Sequence, residues 1–182
     1  MSSSFELDPV DRVTTGAIGE PGDRTFYVQA AGSGTLVTLL AEKEQVRLLA
    51  EAVGRLLAQI PDVSEAEPEP AEEELDLLEP VAPEWRVGEM TLEYDEAVDR
   101  VAIVLHELRA EGEEGVPAAE LLTPEPAIAR FVATRAQARA MALHALEVVA
   151  AGRPRCQLCG LPLEADGDHV CPATNGHRAP SD

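Results

Sequence analysis

The residues best suited to chemistry in this chain lie near its C-terminus, where Cys156-Gln-Leu-Cys159-Gly160 is followed by His169-Val-Cys171-Pro172. Cys-x2-Cys ahead of a glycine is a knuckle in which two thiolates and the turn amides face one tetrahedral ion. His169 and Cys171 add two ligands on one side of an extended segment, because side chains alternate there. The donor set Cys156, Cys159, His169 and Cys171 favours Zn2+. A filled coordination shell leaves no position for a reacting water, so the site is expected to be structural. His177 is the rival fourth ligand, since five residues separate it from Cys171, a spacing that also occurs in zinc modules. A tail this short has little core of its own, so its folding free energy should come mainly from the metal. Two competing readings, unrelated thiols and a redox Cys-x-x-Cys, fit less well. A third cysteine stands close by, and no helix follows the pair.

Other candidates carry weaker signals. His106-Glu107 pairs a base with a carboxylate, but adjacent strand residues point to opposite faces and do not cooperate easily. His144 falls inside an alanine-rich helical stretch and reads as a half-exposed helix histidine. Gly16-x-x-Gly19-x-x-Gly22-x-Arg24 has the glycines and arginine of a phosphate cradle, but it lacks a strand-to-helix setting and a Gly-Lys-Ser/Thr ending, so turn glycines are the better reading. Trp85, the one tryptophan, reads as an anchor in the core or between strands. No Ser-His-Asp grouping or paired-carboxylate site can be placed.

These residues must be positioned by a chain of 182 residues with 45% hydrophobic but only 3% aromatic content, which implies one packed core of Leu, Val, Ile and Ala. Thirty-four acids against fourteen Lys and Arg give a formal charge of −20, which opposes general affinity for phosphate backbones. Half of that charge lies in 61–84, a stretch with ten acids, five prolines and no Lys or Arg. The opening MSSSFELDPV is not a secretory signal, and no apolar run approaches the roughly 20 residues of a membrane helix. A cytoplasmic location follows as the expectation, and there clustered thiols favour metal over disulfides.

β-Formers over Val13–Ile18 and Thr25–Ala31, split by Gly19-Glu20-Pro21-Gly22-Asp23, predict a hairpin, and Gly32-Ser33-Gly34 turns the chain into a third strand, Thr35–Leu40. From Glu42 the period becomes helical, with Val46, Leu49, Ala50, Val53, Leu56, Leu57 and Ile60 on one face until Pro61 ends it. The acidic segment after Pro61 is expected to be a flexible insertion, with Leu75, Leu77 and Leu78 available for local docking. Strands are predicted over Trp85–Leu92, Arg100–Leu108 and Ile128–Ala133, interrupted by a second acidic insertion at 111–126. Thr134-Arg-Ala-Gln137 is a capping box before an alanine-rich helix reaching Ala151, with Gly152 to stop it.

The predicted architecture is therefore α+β, with antiparallel sheet built from two three-strand-plus-helix units over residues 1–152 and a zinc-binding tail over 153–182. Two echoes, Gly16 with Gly88 and Asp23-Arg24 with Asp99-Arg100, point to an internal duplication.

Several blocks also resemble a known family. Gly16 through Ala30, Glu42-Lys43-Glu-Gln45-Val46, Trp85-Arg86-Val87-Gly88-Glu-Met90, Thr134 through Arg139 and the tail from Cys156 to Asn175-Gly176 are similar to the actinobacterial proteins grouped as domain of unknown function 3090. The resemblance spans nearly the whole chain outside the acidic insertions. It implies membership and brings no activity, substrate or catalytic residue. Its His-x-Cys-Pro pattern implies His169 as the ligand, with His177 standing where the family has an aromatic residue.

A non-enzymatic interaction or regulatory module with a protein partner is the leading expectation. An enzyme on a small polar or phosphorylated metabolite, clamping anions with Arg24, Arg86, Arg100 or Arg130, is the alternative. Weak nucleic-acid binding through Arg153, Arg155 and Arg178 around the knuckle comes third.

Overall fold

A computed structural model describes residues 2–61, 68–109, 125–152 and 156–159. The strands are β1 (Phe5–Leu7), β2 (Arg12–Ile18), β3 (Thr25–Gly32), β4 (Thr35–Ala41), β5 (Val87–Asp95), β6 (Arg100–Glu107) and β7 (Ile128–Ala133). The helices are α1 (Lys43–Gln59) and α2 (Arg135–Ala150), and a short 3-10 turn covers Glu72–Leu75. They form two sheets, an antiparallel β2-β3-β4 and a mixed four-stranded β1-β7-β6-β5, so the α+β class and the repeated order of three strands then a helix are both present.

Local chemistry sets these elements. β2 and β3 pair from Arg12 with Ala31 to Ile18 with Thr25, and the glycines of their turn are needed where predicted. Gly19 has φ +112°, and a Cβ there would lie 2.4 Å from the Asp23 carbonyl oxygen. β3 and β4 meet at a two-residue turn, with Ser33 (φ 52°) and Gly34 (φ 78°) both left-handed, which suits the twist of a tight hairpin. α2 opens on a complete capping box: Gln137 N–H donates to Thr134 Oγ1 at 3.1 Å, and Thr134 N–H donates to Gln137 Oε1 at 2.9 Å.

Two elements differ from expectation. The strand read as Trp85–Leu92 changes sheet partway. Residues 84–86 run parallel to β4, with Glu84 N–H on the Thr38 carbonyl, Leu40 N–H on the Trp85 carbonyl and a Leu40–Arg86 bridge, and from Val87 the chain pairs with β6. β1, absent from the sequence reading, pairs parallel with β7 from Phe5 opposite Ala129 to Leu7 opposite Phe131. The two departures match each other. In each unit, the last strand before the helix receives a parallel segment from just ahead of the other unit's first strand.

The helix caps repeat that exchange. Gln45, whose Oε1 accepts from Glu42 N–H at 2.8 Å, turns its amide Nε2 onto the carbonyls of Val87 (3.1 Å) and Gly88 (2.8 Å). Gln137 likewise sends Nε2 to the carbonyls of Val10 (3.4 Å) and Asp11 (3.1 Å). Each helix start is thus tied to the opposite unit at its first strand or just ahead of it. Between the units lies one apolar core. Val28, Val37 and Leu39 face it from one sheet, Ile103, Leu105 and Phe131 from the other, and Val46, Leu49, Val53 and Met141 from the helices. Ala138, Ala142 and Ala145 bury the small-residue stripe of α2, whose neighbours include α1 and β2. Trp85 is buried in the same core and donates Nε1–H to the Ser3 carbonyl at 3.0 Å.

A charged clamp fixes the β5–β6 turn to α2. Asp99, at φ 53°, accepts from Tyr94 Oη (2.7 Å) and from Arg135 Nε and Nη2, and Arg135 Nη1 reaches the Pro61 carbonyl at 3.1 Å. The Tyr94 hydroxyl, joined by the Arg135 guanidinium, holds the Asp99 carboxyl below its ordinary value, and the same carboxylate raises the Tyr94 phenol.

Two outcomes follow. Gln45→Ala and Gln137→Ala should each lower the unfolding free energy by about 1–2 kcal/mol in urea titrations, with the single cooperative transition retained; two separated transitions would contradict the shared core. Because the folded carboxyl of Asp99 titrates below the unfolded one, the unfolded chain binds more protons in between. Its stabilisation is full above the ordinary carboxylate range and is lost as pH falls through the folded value. The destabilisation caused by Asp99→Asn should therefore shrink in acid, and a gap as large near about pH 2 as at neutral pH would contradict the clamp.

Candidate functional site

Cys156 and Cys159 lie just beyond α2, with residues 157–159 in a turn, so the first half of the predicted metal set is carried on one tight bend. Cys156 is buried and Cys159 half-buried, a placement that suits a paired-thiolate half-site. His169, Cys171, the rival His177 and the arginines Arg153, Arg155 and Arg178 lie outside the described residues. Among the described residues, no group of three or more His, Cys, Asp or Glu is placed to hold a metal ion.

The other sequence candidates are dispersed. Glu107 accepts from Ser2 Oγ and from Ala127 N–H, which lower its carboxyl below the ordinary value. It is thus occupied away from His106, whose strand partner is Ile128. His144 is half-buried on α2. Gly16 lies inside β2, and Arg24 donates to the Val148 carbonyl at the end of α2, so the glycine-arginine run is a hairpin turn tied to a helix. The four arginines considered as anion clamps engage different groups. Arg24 meets Val148, Arg86 pairs with Glu42, Arg100 donates to the Asp99 carbonyl, and Arg130 stands among Glu6, Asp8 and Glu93 at 3.6–3.8 Å.

A site that the sequence reading did not identify lies on the outer face of β2-β3-β4. Register places Thr14, Gln29 and Thr38 side by side across the three strands, and all three are buried although they face away from the apolar core. Residues 71–80 cover them. Gln29 reads this segment as a backbone: its Oε1 accepts from Leu78 N–H at 2.8 Å and its Nε2 donates to the Leu78 carbonyl at 3.0 Å, with Thr38 Oγ1 also at 3.0 Å. Thr14 Oγ1 donates to the Leu75 carbonyl and Arg12 to the Asp76 carbonyl. Leu77 sits in the notch left by Gly16, where an added Cβ would come 2.5 Å from its Cγ.

The strap crossing this face is the acidic stretch read from sequence as an insertion, and its three leucines are where it touches the sheet. Side chains, not apolar area, hold it: no residue of the Glu72–Leu75 turn is buried, and Leu78 is exposed. Alternation could not reveal the site, because a polar row on one side of a strand normally means water on that side. The one available signal was the cluster of leucines within a proline-rich acidic run.

Among the described residues, no helix is long and apolar enough to cross a membrane. Comparisons with curated proteins and with solved structures returned no match. The family described as Protein of unknown function (DUF3090) matches residues 5–171, which takes in both sheets, both helices, the strap and all four cysteine and histidine positions of the predicted metal set; the chain belongs to that family.

Proposed function

We propose that this protein is a non-enzymatic, cytoplasmic interaction module that receives an extended segment of a partner protein on the outer face of β2-β3-β4. The observation carrying this reading is the Gln29 amide, which engages both the N–H and the carbonyl of one residue in a crossing chain. Such a contact is independent of that residue's side chain, and the flanking Thr14 and Arg12 contacts also go to carbonyls. Side-chain bonds to main-chain N–H and carbonyl groups suit an extended polypeptide, whose backbone groups are free to pair. The formal charge of −20 favours a protein partner over nucleic acid. In the same reading the tail is a structural zinc knuckle of Cys156, Cys159, His169 and Cys171. The single bend carrying Cys156 and Cys159 supports it, and the metal would supply the folding free energy that so short a tail lacks.

Native capture from cell extract, repeated with crosslinking, should recover the same partner in each trial, and Gln29→Leu should weaken that capture while leaving the fold intact. Recovery of no partner in the crosslinked trials would contradict the interaction reading. Elemental mass spectrometry should find about one zinc per chain, the stoichiometry of a four-ligand structural site, with loss in Cys156→Ser, Cys159→Ser and His169→Ala but not in His177→Ala. Reduced, chelator-free protein without zinc would overturn the knuckle.

A further inference from the structure

We infer that residues 71–80 are a displaceable cis occupant of this groove, and that its ligand in trans is an extended, acidic, leucine-bearing segment of the partner protein that presents a carboxylate to Arg12. The inference rests on the interaction reading above and specifies the partner's chemistry.

Three features of the groove define that ligand. Backbone recognition by Gln29 and Thr14 requires an extended chain with an accessible N–H and carbonyls. The Gly16 notch requires one branched apolar side chain, filled here by Leu77. Arg12 supplies the sign of the charge. The strap offers it only the Asp76 carbonyl, Arg12 Nε is buried without a hydrogen-bond partner, and Arg12 forms no ion pair among the described residues. A carboxylate placed at that guanidinium would meet the unused donor, a charge-assisted contact that the cis segment does not make.

The strap also has the character of a segment that can leave. Its contacts are a few polar bonds and two half-buried leucines, Leu75 and Leu77, and the side chains beneath it include Thr and Gln, which water can hydrate once uncovered. Covering in cis lowers the apparent affinity for any ligand in trans by the fraction of time the groove is free.

The test uses the full chain and a fluorescein-labelled peptide with the sequence of residues 70–82, followed by anisotropy. Leu77→Asp, which unseats the strap without altering the groove, should bind this peptide roughly tenfold or more tightly than the wild type. Adding Gln29→Leu to Leu77→Asp, or N-methylating the peptide at the position of Leu78, should each cost about tenfold. Freed of its tether, the peptide can bring a carboxylate to Arg12, so adding Arg12→Ala should also cost about tenfold, and that cost should vanish for a peptide whose Glu and Asp are replaced by Gln and Asn; a cost that persists overturns the carboxylate. A folded Leu77→Asp protein that ignores the peptide, or binds a scrambled peptide equally well, overturns the inference. If partner capture from extract persists in that case, the interaction reading stands on another surface. Should Leu77→Asp fail to fold, amide hydrogen exchange on the wild type decides. Leu78 N–H exchanging at least roughly a hundredfold faster than Val28 N–H supports local release, and equal rates overturn it.

Discussion

The fold depends on an exchange between its two units. Neither three-stranded unit supplies the parallel segment beside its own last strand. Residues 84–86 lie along β4, and β1 lies along β7, each arriving from ahead of the other unit's first strand. Gln45 and Gln137 make the exchange specific, because each amide caps its own helix through Oε1 and holds the start of the opposite unit through Nε2. Carbonyls at the corners of a sheet have no ladder partner, and leaving them unpaired inside a protein costs about 1–3 kcal/mol each. Satisfying them from the helix caps places both helices relative to both sheets, and the core fills the space that results.

That arrangement leaves an outer sheet face with a polar row, and a buried primary amide must find partners. Gln29 finds them in Thr38 and in the main chain of Leu78, so the strap completes the face chemically while adding little apolar burial. Chemical completion with weak packing is what separates a recognition surface from a core. The same segment carries Glu72, Glu73, Glu74, Asp76 and Glu79, yet Arg12 beneath it receives a carbonyl, not a carboxylate. The contrast gives the groove a preference that its own strap leaves unmet.

Much of the fold was legible in the sequence, and the unread parts have physical causes. β2, β3, β4 and β7 follow from β-formers between turn residues, and α1 and α2 from helical period and a capping box, because local chemistry decides all of these. The sheet change at Trp85–Val87 was not legible, since the same extended residues serve either partner and only the tertiary arrangement chooses. β1 is three residues long with one buried side chain, too short to show a period. At the candidate sites, cysteine spacing is visible in any sequence. Thr14, Gln29 and Thr38 look like an ordinary wet sheet face, and what buries them arrives from about fifty residues away.

The most direct test of the sheet face as a receptor for extended chain is the side-chain amide resonance of Gln29, observed by nitrogen-proton correlation in the full-length Leu77→Asp protein. Unseating the strap should move that resonance to the position of a hydrated amide, and adding the acidic leucine peptide should return it to the wild-type position. A resonance that stays at the wild-type position in Leu77→Asp, or one that moves and is not restored by the peptide, would contradict the account.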